Sequence, residues 1–351
     1  MIAYIKIWLC VGCVLICTLK LSAQDADTGS THAGYVPAIS GGLGYIYNVN
    51  GGIPTLLPQI NPLLLVPFGT HVLLESRTDF TGFFQRRDGT SGDYTGQVFK
   101  TVEFAQVDWL ANTHVMPVVG KYILPFGLYP ERLTPIWIAN IQDTPLIYSI
   151  GTRTSGAGIG GQLRGVVKQT DAYSVQYAVY YSAHSNVNQL SAARTTGFDA
   201  SIFFPSHRIE VGTSYQRYLD RPQINSGAGY LSWQPPQVPL DLKAQYSRSF
   251  NGQGYWIEGA YMLSQVPAGN SFFRNVQLVG RMEQLFPLNG GGNGLPTLNT
   301  QRAEFGLNYY FRDNWRFVSS YGRQFTSSKD LNLWNVGFTY RFLWPLWPER
   351  K

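Results

Sequence analysis

The sequence predicts an all-β chain folded as a transmembrane antiparallel β-barrel of about fourteen strands, with sixteen as the alternative. Three observations carry this. From about residue 70 onward, apolar and polar residues alternate with period two. The alternating segments are about ten residues long, the length a tilted strand needs to cross a bilayer. And the 351-residue chain is 15% aromatic but only 14% charged, whereas a soluble domain carries about 25% charged residues. The aromatic content excludes a disordered chain. Beyond the N-terminus no uncharged apolar run approaches the roughly 18 residues of a membrane helix.

In chain order, residues 1–23 read as a signal peptide: Lys6, an apolar run from Ile7 to Leu19, and a small residue, Ala23, for cleavage before Gln24. Cys10, Cys13 and Cys17 all fall inside it, so the mature chain has neither a disulfide framework nor a thiolate metal site. Residues 24–69 read as a periplasmic leader followed by a segment with four prolines (Pro54, Pro58, Pro62 and Pro67), which argue against a regular strand. That segment is placed at the periplasmic mouth or in the lumen. A short alternating piece, Leu43 to Val49, is the source of the sixteen-strand alternative. Residues 70–343 form the barrel, and 344–351 an aromatic periplasmic tail. Strands are expected near 70–84, 99–110, 114–122, 156–167, 172–182, 195–204, 208–217, 226–234, 239–250, 254–264, 275–286, 300–311, 314–325 and 331–343. The segment 99–110 loses phase around Ala105-Gln106, which predicts a bulge.

The connections alternate, with exceptions, between tight turns (Ala111–Thr113, Pro205–His207, Arg312–Asp313) and longer loops (85–98, 123–155, 183–194, 287–299). Short turns on one side and long loops on the other are the pattern of outer-membrane barrels.

Asn335-Val336-Gly337-Phe338-Thr339-Tyr340-Arg341-Phe342 resembles the C-terminal assembly signal of bacterial outer-membrane barrels: a polar residue, a glycine two on, and aromatics at the fifth and seventh positions after it. Asn335, Gly337, Tyr340 and Phe342 fill those places, although Leu343 to Lys351 follow. Val119-Gly120-Lys121-Tyr122-Ile123-Leu124-Pro125-Phe126-Gly127 resembles a segment of the phosphate-selective porin superfamily, in which a strand runs into Pro-Phe-Gly at the base of a long loop. The two resemblances imply an outer-membrane porin in contact with lipid, the barrel assembly machinery and small solutes, with a homotrimer as one assembly. They do not imply phosphate as the solute, because the one-signed basic rows are missing.

If the polar face lines the lumen, its basic residues are Arg77, Lys121, Arg164, Lys168, Arg208, Lys243, Arg281, Arg302, Arg316 and Arg341. Its acidic ones are Glu75, Asp79, Asp108, Asp199, Glu210, Asp241, Glu258, Glu283 and Glu304. The two signs nearly cancel, which predicts weak ion selectivity. The same charges read either as a transverse field across a water-filled pore or as a cross-strand lattice that stiffens the wall. Residues 123–155 are the candidate constriction loop. They exceed a normal connection and carry Tyr129, Ile136, Trp137, Ile138, Ile147 and Tyr148, which suit burial in the barrel mouth. Glu131, Arg132, Asp143 and Arg153 would then be its polar contacts.

Enzyme chemistry is poorly served. The five histidines (His32, His71, His114, His184 and His207) have no partner at metal-ligand spacing. His184 with Ser182 or Ser185 is the nearest approach to a hydrolase pair. The glycines of Gly156 to Gly161 are not followed by a helix and do not make a nucleotide loop. The expected function is therefore diffusion of small hydrophilic solutes or ions, with no cofactor or metal. A non-transporting structural or adhesive barrel is the alternative.

Overall fold

The computed structural model describes residues 36–86, 92–150, 156–185, 192–220, 223–265, 271–290, 295–312 and 314–346. Residues 1–23, expected to be a signal peptide, lie outside them. Sixteen antiparallel strands close into one barrel: β1 Ala38–Asn50, β2 Ile53–Phe68, β3 Val72–Arg86, β4 Tyr94–Trp109, β5 Met116–Ile123, β6 Ala157–Gln169, β7 Ser174–Ser185, β8 Ala192–Phe204, β9 Ile209–Tyr218, β10 Asn225–Trp233, β11 Leu240–Ser249, β12 Gly252–Met262, β13 Val276–Pro287, β14 Thr300–Arg312, β15 Trp315–Thr326 and β16 Leu331–Pro345. Each strand pairs with its neighbours in sequence, and β1 pairs with β16 from Ala38↔Pro345 to Asn50↔Leu333. Closure removes both sheet edges, so every strand has a partner on each side.

The sixteen-strand alternative is the observed one, and the expected leader and proline-rich segment are corrected: residues 38–50 and 53–68 are wall strands. In β1, Gly41, Gly42 and Gly44 hide the alternation. In β2, Pro54, Pro58 and Pro62 are spaced by four, so their missing N–H groups face the same neighbour. The β1–β2 ladder is continuous, while the β2–β3 ladder skips residues 57–58 and 61–62. Side chains bridge the gap, since Gln59 Nε2 and Asn61 Nδ2 both donate to Asp79 on β3. The turn joining β1 and β2 is Gly51-Gly52, with φ of +59° and +88°. Both residues need positive φ in a two-residue type I′ hairpin.

The expected bulge in the fourth strand is present, slightly earlier than predicted. The register slips opposite Arg77/Thr78, leaving Glu103 as the extra residue. The tail is also shorter than expected, because β16 runs through Trp344 to Pro345, and Leu346 N donates to Pro37 O.

Side-chain direction follows strand parity. On β14, Glu304 is 5% exposed and Phe305 57% exposed. The polar parity therefore faces inward and the apolar parity outward, which is the arrangement that spares a membrane-facing wall its charges. Outward aromatics pair across strands, as in Trp315–Tyr340 and Tyr321–Trp334 with ring centroids 4.6 and 4.4 Å apart.

Candidate functional site

The connection between β5 and β6 does not project from the rim. Its described part, residues 124–150, folds into the lumen. Gly127 opens the turn inward at φ +71°. A Cβ there would collide with the Gln245 amide, so only glycine fits. Gly127 N donates to Ser214 Oγ and Leu128 N to Gln245 Oε1, both at 2.9 Å. A π-type turn, Tyr129–Leu133, follows. From it Arg132 makes a two-pronged contact with Glu210 on β9, at 2.7 and 3.0 Å.

The loop then crosses to the far wall. Arg316 on β15 donates to the carbonyls of Ile136 and Ala139, both at 2.9 Å. Asn140 Nδ2 donates to Glu258 at 2.9 Å and its carbonyl accepts from Asn308 at 3.0 Å. Arg281 and Arg302 donate to the carbonyls of Asp143 and Thr144. Asn335 Nδ2 donates to the Asp143 carboxylate at 2.5 Å, and Leu146 N to Glu283 at 2.5 Å. On its way back Ile150 O accepts from Ser226 at 3.5 Å.

Apolar contacts back these bonds. Phe126, Leu128, Tyr129, Leu133, Ile147 and Ile150 form one buried cluster with the inward-facing Ala228, Tyr230, Trp256 and Leu285. Tyr129 meets Trp256 and Tyr148 edge-on, with centroids 6.5 and 5.5 Å apart. Ile136 and Trp137 pack on Ile46, Leu57 and Val318. Ile141 packs on Ala260 and Val279. These inward apolar residues were not anticipated. Trp256 had a visible signal, because it sits between Gly254 and Glu258 on the lumen parity.

The expected pore-lining residues divide into groups. Glu258, Arg281, Glu283, Arg302, Glu304 and Arg316 lie together on β12–β15. There Arg281 approaches Glu304 at 2.5 Å, Glu283 at 3.0 Å and Glu258 at 3.7 Å, and Arg302 approaches Glu283 at 2.7 Å. This lattice is engaged with itself and with the loop, with Glu304 Oε1 left without a hydrogen-bond partner. Asp241 and Lys243 pair with each other on β11.

Two expectations are corrected. Lys121 falls on the outward parity of β5, in register with Ile159, which is 46% exposed, and next but one to Val119, which is 62% exposed. The positive φ of Gly120 (+131°) and the shortness of β5 were not legible from the alternation alone. Arg208 lies in the turn between β8 and β9 at φ +51° and bonds Gln234 there, so it is on the rim rather than the wall. Arg341 keeps the inward parity but is exposed near the rim where β1 begins and β16 ends. Arg153 and the side chain of His184 lie outside the described residues. Among the residues expected to form an assembly signal, Asn335 and Gly337 face inward, Tyr340 packs on Trp315, and Phe342 stacks on Trp344 at 4.6 Å.

The wall opposite the lattice differs. It carries three close ion pairs: Arg77–Glu103, Arg164–Asp108 at 2.5 Å and Arg132–Glu210. Three further carboxylates there accept from neutral donors. Asp79 accepts from Gln59, Asn61 and Thr81. Asp199 accepts from Ser214 and Tyr230 at 2.6 and 2.9 Å. Glu75 accepts from Gln106 at 3.5 Å. Glu131 stands 3.8 Å from Arg164, which is already engaged by Asp108. Glu131 is open to lumen water yet ringed by the wall. This enclosure pushes its carboxyl above the usual value, while Arg164 and Arg132 oppose the shift.

No protein-family model matches the chain, and no curated protein matches it by sequence. Solved structures do match in shape. OmpF of Salmonella typhi, solved with daunomycin, aligns with a TM-score of 0.58 at 16% identity, over 88% of this chain and 97% of that one. The trimer form of OmpT, an outer-membrane protein of Vibrio cholerae, aligns with a TM-score of 0.56 at 12% identity, over 87% and 99%. The anion-selective porin of Comamonas acidovorans aligns with a TM-score of 0.55 at 8% identity, over 88% and 98%. At these identities the likeness establishes the fold: this chain has the closed sixteen-strand barrel seen in outer-membrane porins.

Proposed function

We propose that the chain is an outer-membrane porin that lets small hydrophilic solutes or ions diffuse through its lumen, with residues 123–155 as the constriction. The observation that carries this reading is the loop itself. It is anchored across the lumen by hydrogen bonds from Ser214 on one side to Asn335 on the other. A segment held this way narrows a barrel without sealing the wall opposite the lattice, where Glu75, Asp79 and Glu103 stay partly open.

In this reading the rim with the chain ends faces the periplasm, residues 1–23 are removed near Ala23, and Asn335, Gly337, Tyr340 and Phe342 are read by the barrel assembly machinery. The hairpin of β3 and β4 supports a homotrimer: Val98, Phe99 and Val102 are exposed on it, and β4 pairs with β5 only from Ala105 to Asp108. Phosphate is not proposed as the solute.

One observation favours the second reading, a structural or adhesive barrel. The loop's apolar residues are buried as deeply as a protein core, with Ile136, Ile141 and Ile147 at 1–2% exposure. Planar-bilayer recording separates the two. A porin gives discrete steps that grow when residues 128–149 are replaced by a short Gly-Ser linker. A sealed barrel gives none until the loop is replaced.

A further inference from the structure

In the porin reading solutes pass between the inserted loop and the wall of β2–β8, and the side chains there carry a net charge. On the lattice side the arginines are spent: Arg281 and Arg316 are 2% and 4% exposed, and their donors are taken by glutamates and loop carbonyls. They offer little field to a passing solute. On the open side Arg77, Arg132 and Arg164 face Glu103, Glu210 and Asp108, with Arg164 also 3.8 Å from Glu131 and Arg77 Nη2 left without a hydrogen-bond partner, so three arginines stand among seven carboxylates. Glu75, Asp79, Glu131 and Asp199 remain without a cation of their own. They lie within electrostatic reach of acidic neighbours (Glu75 of Asp108 and Glu131, Glu131 of Asp199, and Asp79 of Glu103) and share the arginines that oppose them, Arg164 reaching Glu75 and Glu131 and Arg132 reaching Glu131 and Asp199.

A second observation points the same way. Asn61 is 2% exposed and gives its Nδ2 to Asp79, but its Oδ1 has no donor. A buried acceptor left unmatched beside a carboxylate takes a donor, whether water, an N–H group or a cation, and repels an anion.

We infer that the passage selects cationic solutes over anions, with Glu75, Asp79, Glu131 and Asp199 setting the sign. The inference rests on the porin reading and adds to it the class of solute. It replaces the weak selectivity expected from the balanced total, because the total counts arginines that the loop has occupied. A lumen potential of only one kT already enriches a monovalent cation over an anion by about sevenfold.

The test is the zero-current potential of the reconstituted chain in a tenfold KCl gradient. Wild type is expected to favour potassium over chloride by about sevenfold at 0.1 M salt, and less at 1 M, where screening shortens to about 3 Å. The E75Q/D79N/E131Q/D199N variant, checked for the heat-modifiable folded form, is expected to conduct and to lose that preference. If that variant does not fold, E131Q alone, on the exposed loop turn, is expected to lower the ratio. Conducting wild-type channels that favour chloride, or neither ion, overturn the inference and leave the porin reading intact. So does an unchanged ratio in either folded variant. A folded wild-type barrel with no conductance overturns the porin reading and this inference with it.

Discussion

The indole ring of Trp137 lies on the backbone of Gly42, so closely that a Cβ on the glycine would strike it. This contact ties the middle of the lumen loop to the first strand of the barrel. Gly44 gives Ile136 the same clearance. The glycines that blur β1 in the sequence are thus the landing surface for the loop.

Gly42→Leu is therefore expected to lift this part of the loop without unfolding the wall, since Gly42 keeps its ladder partners Asn61 and Arg341. Single-channel records are expected to show larger conductance and more open-state noise than wild type. Trp137→Ala in the same chain should remove the clash and quieten the noise. Identical records for Gly42→Leu and wild type would show that the contact does not hold the loop.

Arg281 is the hub of the lattice, touching Glu258, Glu283, Glu304 and the Asp143 carbonyl. Arg281→Met leaves three buried carboxylates with only Arg302 among them. Breaking a buried pair by removing one partner costs about 3–5 kcal/mol. The urea midpoint of the refolded barrel should fall accordingly, and protease should cut the loop faster. A midpoint within error of wild type would mean that the lattice is not structural.

The raised titration range of Glu131 gives a pH signature. Enclosure by the surrounding wall disfavours its charged form more than Arg164 and Arg132 favour it, so it takes up a proton at higher pH than an ordinary carboxyl with a value of 4.5. The sign follows: as pH falls from 7 towards that range, the passage loses one of its uncompensated negative charges, and cation preference declines. It recovers as pH rises. E131Q should flatten the upper part of this profile. A preference that rises on acidification would contradict the assignment.

The fold was legible wherever the outward face is apolar and the inward face polar, as along Thr300–Arg312. It was not legible in β1 and β2. There the glycines cleared for Trp137 and Ile136 erase the alternation, and the prolines at four-residue spacing look like strand breakers until their shared edge is known. The loop's place in the lumen could be expected from its length and apolar content. Its anchoring could not, because an arginine such as Arg316 looks the same in sequence whether it faces water or two loop carbonyls. Lys121 was misplaced because β5 is short and Gly120 beside it takes a positive φ, so the alternation there does not fix which face Lys121 takes.

The most direct measurement is single-channel conductance of the wild-type chain beside a variant in which residues 128–149 are replaced by a Gly-Ser linker, in the same bilayer and salt. A porin constricted by this loop gives discrete wild-type steps and variant steps several-fold larger, as a wider water path requires. Equal steps in the two chains, or a folded wild type that passes no current, would contradict it.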